Sequence, residues 1–585
     1  MADYRVEIED PHAHLFRVTL TLARPAARQA LSLPVWAPGS YLVRDFARHL
    51  SALSARQGRR DVALAQHDKT RWVAACEGRA ALVVSYLVYA FDASVRGAFL
   101  DAERAFFNGS SLFLRAEGRE AETQRLQLGR LPAGWQVATT MAARGRQRFE
   151  AADYDELIDH PVECGRFWHA RFEAGGIVHE LAVMGAWPSF DGPRLLADTA
   201  RLCATQIRFW HPDATPGARS RPAGGEPPFG RYLFLLHALE DGYGGLEHRS
   251  SAALVAARRD LPRVGNADLS DGYVGLLGLI SHEYFHAWNV KRLQPLEFVA
   301  LDLGRENYTR LLWFFEGFTS YYDDLLLLRA GLINRARYLR LLAKALNGVL
   351  ATPGRRVQSV AAASFDAWVK HYRGDENTVN ATVSYYGKGA LVALLCDLSL
   401  RVHGQATLDD VMRRLWQRSA GGPIGEEQIA DALAEAGGPG LRSELQAWVH
   451  GTGELPVATL LGKAGIAVRN EAPTLAALLG LKLSEGPVSG VQVRQVLRGG
   501  AAEAAGLAPG DELLAVDGWR IRRLDDARQW VGEGHSFELL AVRDQRLLTL
   551  RLTPPSVAAA PSVALAVDEQ ADAAALALRR AWLGD

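Results

Sequence analysis

The chain has 585 residues, and this length predicts three to four domains at roughly 150 residues each. Hydrophobic residues make up 48 % of it and charged residues 23 %, a composition that is typical of globular proteins and excludes a wholly disordered chain. With 66 basic and 66 acidic residues the formal net charge is zero, so no overall basic field favours nucleic acid or anionic lipid as a partner. Four widely separated cysteines, with no CxxC pair, argue against a disulfide framework and against a thiolate zinc site.

The N-terminus has neither the basic start nor the apolar core of a signal peptide. The longest apolar runs, such as residues 274–280, are far shorter than the ~18 residues that a membrane span needs. We therefore expect a cytoplasmic protein with no membrane span and no nucleic-acid partner.

Residues 1–175 have the pattern of a β-rich domain. Residues 16–22 alternate apolar and polar side chains, and residues 81–88 form an apolar run typical of a buried strand. Turn residues at 38–40 and 108–110 separate such segments. We predict an antiparallel, sandwich-like N-terminal β-domain.

A mainly helical domain is predicted over residues 176–458. Residues 195–210 have a helical pattern, residues 212–230 are rich in Pro and Gly and predict a loop, and residues 232–236 predict a strand. Long helical patterns then continue to about residue 450.

Short strands and Gly-rich turns return over residues 459–555, where we predict a third domain. The last segment, residues 556–585, is an Ala-rich tail in which residues 573–582 predict one helix.

The strongest chemical signal is the sequence His-Glu-x-x-His at residues 282–286, which follows the apolar stretch 273–280. On a helix, His282 and His286 lie four residues apart on one face, where both imidazoles can bind one zinc ion. Glu283 lies beside them, where a carboxylate can take a proton from a metal-bound water and pass it to the leaving amine.

A catalytic zinc has three protein ligands and an open position, so a later carboxylate should complete the set. Residues 306–329 have a strong helical pattern, and Gly331 is a fitting stop. Within this pattern Glu316 is a lone acid among aromatic residues, where a buried carboxylate is costly unless it is paired or binds a metal. Glu306 is the alternative ligand, although its position is typical of an acid at a helix start.

The zinc motif followed by Glu-Gly-Phe at residues 316–318 resembles the gluzincin zinc metallopeptidases, and residues 284–292 resemble the glycyl aminopeptidase family in particular. The resemblance implies a thermolysin-like catalytic domain, a C-terminal PDZ domain, and one zinc held by His282, His286 and Glu316. Twenty-nine residues separate the second His from this Glu, a longer spacing than in the related leukotriene-hydrolase-type aminopeptidases.

Residues 244–248, which read Gly-Gly-Leu-Glu-His, follow the predicted strand 232–236 and resemble the Gly-x-Met-Glu-Asn exopeptidase motif. The resemblance implies that Glu247 binds the free amine of the substrate, while the backbone of Gly244 and Gly245 pairs with the substrate chain. The third and fifth positions depart from the motif but leave the carboxylate intact. A Gly-rich turn with a solvated acid is the alternative interpretation.

Residues 385–390 begin a helical pattern that continues to residue 400, and they resemble the Tyr-x-Lys-Gly segment whose Tyr donates a hydrogen bond to the tetrahedral oxyanion. The register selects Tyr386, with Tyr385 as the alternative. A phenol does this without ionising, because its pKa is about 10. A packed interface aromatic is the structural explanation of the same pattern.

Four segments near the C-terminus, 479–483, 490–496, 501–507 and 510–518, resemble the PDZ domains of bacterial proteases. In such domains an exposed edge strand accepts an extended peptide, and the loop at residues 479–480 would face its terminal carboxylate. This implies a peptide ligand at the PDZ domain; the alternative is a domain that packs on the catalytic domain and binds no free peptide.

Residues 36–46 also resemble the family's N-terminal β-domain, but we assign them no catalytic role because a solvated turn explains their polar residues. The combined interpretation is a multidomain α+β zinc aminopeptidase acting on peptides with a free N-terminus, with Gly or Ala as the family's preferred first residue. Its nucleophile is a zinc-activated water, and Glu283 is the general base. Two alternatives are a zinc endopeptidase in which Glu247 is structural, and a non-catalytic peptide-binding scaffold led by the PDZ domain.

Overall fold

A computed structural model of the protein describes residues 1–212, 226–404, 406–532, 534–555 and 561–584. Most of the predicted loop at 212–230 therefore lies outside the described residues. The chain divides into two compact units, Met1–Asn307 with Trp416–Pro423, and Tyr308–Leu415 with Ile424–Asp585. None of the helices in the described ranges is both long and apolar enough to cross a bilayer.

The first unit begins with the predicted N-terminal β-domain. Its strands alternate buried and less buried residues, as in Leu15–Leu22, because successive side chains of a strand point to opposite faces. The strands are β1 (Ala2–Asp10), β2 (Leu15–Leu22), β3 (Arg28–Ser32), β4 (Leu50–Gln57), β5 (Arg60–Asp61), β6 (Leu64–Gln66), β7 (Arg71–Ala75), β8 (Leu82–Tyr89), β9 (Ala98–Leu100), β10 (Arg104–Phe107), β11 (Arg115–Ala116), β12 (Gln124–Leu128), β13 (Gln136–Ala138), β14 (Ala142–Gly145), β15 (Arg148–Ala151) and β16 (Val162–Gly165). The largest sheet has the order β14-β15-β12-β1-β2-β8-β4-β5, and all its pairings are antiparallel except that of β1 with β12.

Besides two four-stranded sheets of the β-domain, β13-β16-β10-β9 and β11-β3-β7-β6, the first unit contains a five-stranded sheet. Its strands are β17 (Trp168–Ala174), β18 (Ile177–Met184), β19 (Arg231–Leu239), β20 (Tyr243–Glu247) and β21 (Ser251–Ala257), and the helices of the unit are α1 (Tyr154–Ile158), α2 (Gly192–Trp210) and α3 (Asp271–Phe285). The order β17-β18-β19-β21-β20 leaves β20 at an edge, paired only with β21. The helix α2 and the strand β19 confirm the predicted elements at 195–210 and 232–236.

The second unit is helical apart from its C-terminal strands. Its helices are α4 (Leu312–Phe315), α5 (Gly317–Arg329), α6 (Arg335–Leu350), α7 (Val360–Phe365), α8 (Thr378–Ala381), α9 (Tyr385–His403), α10 (Leu408–Arg418), α11 (Glu426–Gly437), α12 (Pro439–His450), α13 (Val457–Lys463), α14 (Leu475–Leu479), α15 (Ala501–Ala504) and α16 (Ala573–Leu583). Its strands are β22 (Ile466–Asn470), β23 (Leu481–Gly486), β24 (Gly490–Val496), β25 (Glu512–Val516), β26 (Trp519–Arg520), β27 (Phe537–Arg543), β28 (Arg546–Leu552) and β29 (Val563–Val567).

The prediction of one continuous helix over residues 306–329 is wrong. The helical part begins only at Leu312, because the Thr309 hydroxyl accepts a hydrogen bond from the Leu311 N–H and holds the chain in a local turn. A break at Glu316 then separates α4 from α5, and the next residue, Gly317, is a poor helix former. A Cβ on Gly317 would lie 2.5 Å from the Cα of Gly389, so this position admits only glycine between closely packed helices.

The strands β23 to β28 form the predicted PDZ domain around a core of buried aliphatic residues. β23 is an edge strand, which is the position that peptide pairing requires. Asn380 of α8 donates a hydrogen bond to the Val496 carbonyl and accepts one from the Arg498 N–H, both at 2.9 Å. The PDZ domain thus contacts the helical part of its own unit, and peptide binding at its groove stays a prediction.

The C-terminal segment packs into the second unit. β29 pairs with β22, and α16 confirms the helix predicted over residues 573–582. Trp582 is 2 % exposed, and its indole N–H donates to the Tyr321 hydroxyl at 3.0 Å, which in turn donates to the Asp397 carboxylate at 2.7 Å. The segment is therefore part of the packed core of this unit.

Replacing Trp582 with Ala should lower the free energy of unfolding of the second unit by about 3–5 kcal/mol, because the change leaves a large cavity beside Tyr321. The measurement is a denaturant titration of the full chain. Trp519→Ala is the matched control, since Trp519 is 70 % exposed and its loss should leave the transition within about 0.5 kcal/mol of the wild type. Equal effects of the two changes would mean that α16 contributes nothing to the core.

Candidate active site

The His-Glu-x-x-His sequence forms the C-terminal turn of α3, with His286 as its last capping residue. Ser270 begins the helix, since its hydroxyl accepts a hydrogen bond from the Tyr273 N–H at 3.1 Å. The side-chain amide of Gln206, on α2, donates to the Ser281 carbonyl at 2.8 Å and fixes the turn that precedes the motif. The motif therefore lies on a helix end that is held in place by buried neighbours.

The two histidines of this turn have the arrangement that a shared metal ion requires. The rings of His282 and His286 lie 4.6 Å apart between centroids and are nearly perpendicular, at 88°. Nδ1 of His286 lies 2.8 Å from the Asn289 carbonyl. Because a carbonyl can only accept, the ring donates through Nδ1 and carries its lone pair on Nε2, the form in which a histidine binds a metal.

Two carboxylates lie beside these histidines. Glu283 and Glu247 are 5 % and 4 % exposed, and one ligand atom from each lies within 4.8 Å of the other and of a His286 nitrogen. β20 passes directly over Glu283, because a Cβ on Gly245 would lie 2.0 Å from the Glu283 carboxylate. The structure thus brings together the predicted metal-binding turn, the predicted general base and the predicted amine-binding strand.

The edge strand β20 has backbone groups that face away from the sheet. In its pairing with β21, the His248 N–H donates to the Ser251 carbonyl at 2.9 Å. Hydrogen-bonded and non-hydrogen-bonded pairs alternate along an antiparallel ladder, so the backbone groups of Gly245 and Glu247 face the edge away from β21, where the Gly245 carbonyl also accepts a hydrogen bond from Arg96. An extended peptide can pair with this edge by β-augmentation.

The prediction that residues 36–46 form a solvated turn is wrong for residues 36–41. Trp36, Ser40 and Tyr41 are buried, and the turn packs against Glu247. A Cβ on Gly39 would lie 2.4 Å from the Glu247 carboxylate, and Gly39 has a φ of +94°, which favours glycine. The turn therefore forms a wall next to the carboxylate.

Asp159 joins the segments that flank this wall, and sequence patterns gave no indication of it. Its carboxylate accepts hydrogen bonds from Lys291 Nζ and from the Arg249 N–H, both at 2.8 Å, and lies 3.3 Å from Nδ1 of His248. Burial alone would raise the pKa of Asp159, but the Lys291 ammonium and the His248 imidazole hold it well below its usual range. With Glu247, Asp159 lines a cavity of about 130 Å³.

The remaining predicted residues, Glu316, Tyr385 and Tyr386, belong to the second unit. Glu316 is buried at the junction of α4 and α5. The hydroxyl of Tyr386 lies 2.9 Å from that of Tyr372. Burial, with the negative charge of Glu316 as the next cause, raises the pKa of Tyr386 well above its usual range, so the phenol stays protonated. Tyr385 is fully buried and stacks on Tyr386, which is only half-buried.

Glu306, the alternative ligand, lies in an irregular segment of the first unit and is half-buried. The interpretation of this residue as an acid at a helix start is wrong, because no helix begins there.

The sequence and the fold are similar to those of known proteins. Residues 3–166 match the Peptidase M61 N-terminal domain, residues 275–392 match the M61 glycyl aminopeptidase family, and residues 492–543 match a PDZ domain. No curated protein matches the chain significantly. A crystal structure of an aminopeptidase N family protein from Idiomarina loihiensis is 35 % identical, with 100 % of both chains covered and a TM-score of 0.92. An M1 zinc metallopeptidase from Deinococcus radiodurans, bound to a Tyr-Ser-Ala substrate, is 14 % identical, with 78 % of this chain and 94 % of that chain covered and a TM-score of 0.47.

Proposed function

This chain belongs to the M61 glycyl aminopeptidase family of metallopeptidases, and from that premise we propose that it is a zinc-dependent enzyme that removes a small N-terminal residue, Gly or Ala, from peptides with a free amine. The observation that carries the proposal is the position of the Glu247 carboxylate. It lies at the end of an open strand edge, beside Glu283 and His286 and against the Gly39 wall. An exopeptidase needs this combination of a cleavage site, a strand that holds the substrate and a carboxylate at a closed end.

His282, His286 and Glu316 are the proposed ligands of one zinc ion. The donor set of two imidazoles and one carboxylate is that of a catalytic zinc with an open position. Two observations support it: the hydrogen bond to Asn289 sets the metal-binding tautomer of His286, and Glu316 is a buried acid. When bound, zinc supplies a Lewis acid that polarises the scissile carbonyl and lowers the pKa of a bound water.

Glu283 is the proposed general base, and then the general acid. It takes a proton from the attacking water and passes it to the leaving amine of the cleaved bond. Its position beneath Gly245 and within 4.8 Å of the Glu247 carboxylate supports this role, since a substrate with its amine at Glu247 has its first peptide bond between Glu247 and Gly245.

Tyr386 is the proposed donor to the oxyanion that forms at the attacked carbonyl. Its raised pKa keeps the hydroxyl protonated and able to donate. The half-buried position of Tyr386 supports it over the fully buried Tyr385.

Glu247 is the proposed partner of the substrate ammonium, with the backbone of Gly245 pairing with the substrate, while the backbone groups of Gly244, also predicted to pair with it, face β21 instead. The wall formed by Gly39 and the small cavity lined by Asp159 close the space beyond the amine. This closed end supports the exopeptidase activity, while the proposed preference for Gly or Ala rests on the family alone.

Replacing Glu247 with Gln should lower kcat/KM for free-amine alanyl peptides by about 10- to 100-fold, mainly through KM, because a charge-assisted contact of about 1.5–3 kcal/mol is lost. N-acetylated versions of the same peptides have no ammonium, so their slow cleavage should change much less. The measurement is the ratio of kcat/KM between free and acetylated peptides, for the wild type and the variant.

Glu240→Gln is the matched control, because Glu240 is an exposed acid just before β20, and its ratio should equal that of the wild type. Efficient cleavage of acetylated peptides by the wild type at internal bonds would contradict the proposal and support the endopeptidase alternative.

A further inference from the structure

Arg96 lies at the edge of β20, where no acidic side chain among the described residues forms an ion pair with it. It lies in the loop between β8 and β9, and its Nη2 donates a hydrogen bond to the Gly245 carbonyl at 2.9 Å. Nε is buried and has no hydrogen-bond partner, and within the described ranges no carboxylate lies within 4.0 Å of the guanidinium. A half-buried guanidinium in this state has donors left for an anionic ligand.

The guanidinium lies at the level of Gly245 and Gly244, on the side of the strand that is distant from the amine-binding carboxylate. Gly245 lies directly over Glu283, and Glu247 is two residues further along the strand, or about 7 Å at the usual rise. Nη1 of Arg96 lies 3.8 Å from the position of a Cβ on Gly244. The guanidinium therefore extends from the Gly245 carbonyl towards Gly244 and away from Glu247, with Nη1 on the face of β20 opposite to Glu283.

The length of a dipeptide matches this separation. An extended peptide with its amine at Glu247 runs along the open edge towards Gly244. Two extended residues span about 7 Å, so the C-terminal carboxylate of a dipeptide comes to the level of Gly245 and Gly244. In a longer peptide the same position is occupied by a neutral carbonyl.

We propose that Arg96 binds the C-terminal carboxylate of dipeptide substrates, so that the enzyme is selective for dipeptides with a free amine and a free carboxylate. The inference rests on the proposed aminopeptidase function and names the substrate class of the same site. Arg96 and Glu247 are then the two charged ends of one binding site, and the distance between them favours substrates of dipeptide length. A guanidinium binds a carboxylate more strongly than it binds a neutral carbonyl, because the acceptor is ionised.

The test compares Ala-Ala with Ala-Ala amide, which differ only in the charge at the C-terminus. The wild-type full-length enzyme should show a kcat/KM at least ~10-fold higher for the free acid, as expected for one charge-assisted contact. In Arg96→Gln the ratio should fall to about one, mainly because the free acid becomes a poorer substrate. Arg96→Lys keeps the charge and should retain part of the ratio.

The ratio of kcat/KM for the free acid to kcat/KM for the amide distinguishes recognition of the substrate carboxylate from structural support of β20. If the Arg96 hydrogen bond to Gly245 only held β20 in place, its loss would lower kcat/KM for both substrates equally and leave the ratio unchanged, which would overturn the proposal. A wild-type ratio near one would overturn it as well, without any variant. Arg79→Gln, at an exposed Arg of the same β-domain, is the control that should keep the wild-type ratio.

A third substrate, N-acetyl-Ala-Ala, distinguishes this inference from the proposed function. Cleavage of the acetylated dipeptide as efficiently as the free one would refute the aminopeptidase function, whatever the ratio of acid to amide. Selectivity for the free amine together with a ratio near one would refute only the role of Arg96.

Discussion

Replacement of Glu283 by Gln should lower kcat by at least ~10²-fold while the protein keeps its zinc. The carboxamide has nearly the same shape as the carboxylate, so it still fits beneath Gly245 and leaves His282 and His286 undisturbed. It cannot take a proton from the attacking water, and the step that depends on the base is lost. The measurements are kcat on a free-amine alanyl dipeptide and the zinc content of the purified variant.

Glu297→Gln is the matched control, since Glu297 is an exposed acid that follows the motif in the sequence, and it should keep the wild-type kcat. A Glu283→Gln enzyme with near-normal kcat would show that another group is the base. Loss of zinc from the same variant would instead make Glu283 a part of the metal site.

The sequence predicted the local helix and strand geometry around this site well, because that geometry depends on short-range interactions. The spacing of His282 and His286 on one helix face follows from 3.6 residues per turn, and the structure places both at the end of α3. The strand β19 and the helix α2 had equally clear periodic patterns. These features could be predicted because neighbouring residues determine them.

The breaks and distant contacts could not be predicted in the same way. The apolar spacing across residues 306–329 fits one helix, yet the turn at Thr309 and the junction at Glu316 interrupt it. Such interruptions depend on packing against other helices, as the close approach of Gly317 and Gly389 shows, and not on the local pattern.

Three contacts from the β-domain complete the surroundings of β20, and none has a local sequence signature. Gly39 packs against Glu247, Arg96 binds the Gly245 carbonyl, and Asp159 binds the turn that follows the strand. The last two contacts join residues 149 and 90 positions apart in the chain. The β-domain therefore shapes the surroundings of β20 at both Glu247 and Gly245, although its sequence has no chemical motif.

The second large effect is the loss of zinc that we expect when a proposed metal ligand is replaced. Purified wild-type protein should contain about one zinc per chain, and His286→Ala should contain almost none, because a catalytic zinc keeps only three protein ligands. His286 is 1 % exposed and its hydrogen bond to the Asn289 carbonyl holds its ring in one orientation, so no other side chain can readily take its place. Activity on a free-amine dipeptide should fall with the zinc content. Elemental analysis of the protein gives the zinc content directly, independently of any activity.

The comparison that makes this result specific is His12→Ala, which removes an exposed histidine of the β-domain and should leave zinc and activity unchanged. Thermal unfolding distinguishes the loss of a zinc ligand from misfolding: a folded His286→Ala protein without zinc assigns the residue to the metal site.

The same experiment on Glu316→Gln tests the third proposed ligand, and this variant should also contain less zinc, since a carboxamide is a much weaker ligand than a carboxylate. Full zinc occupancy in a folded His286→Ala protein would exclude this histidine as a ligand. The proposed reaction would then lose its metal site, while the binding roles of Glu247 and Arg96 would still stand on their own measurements.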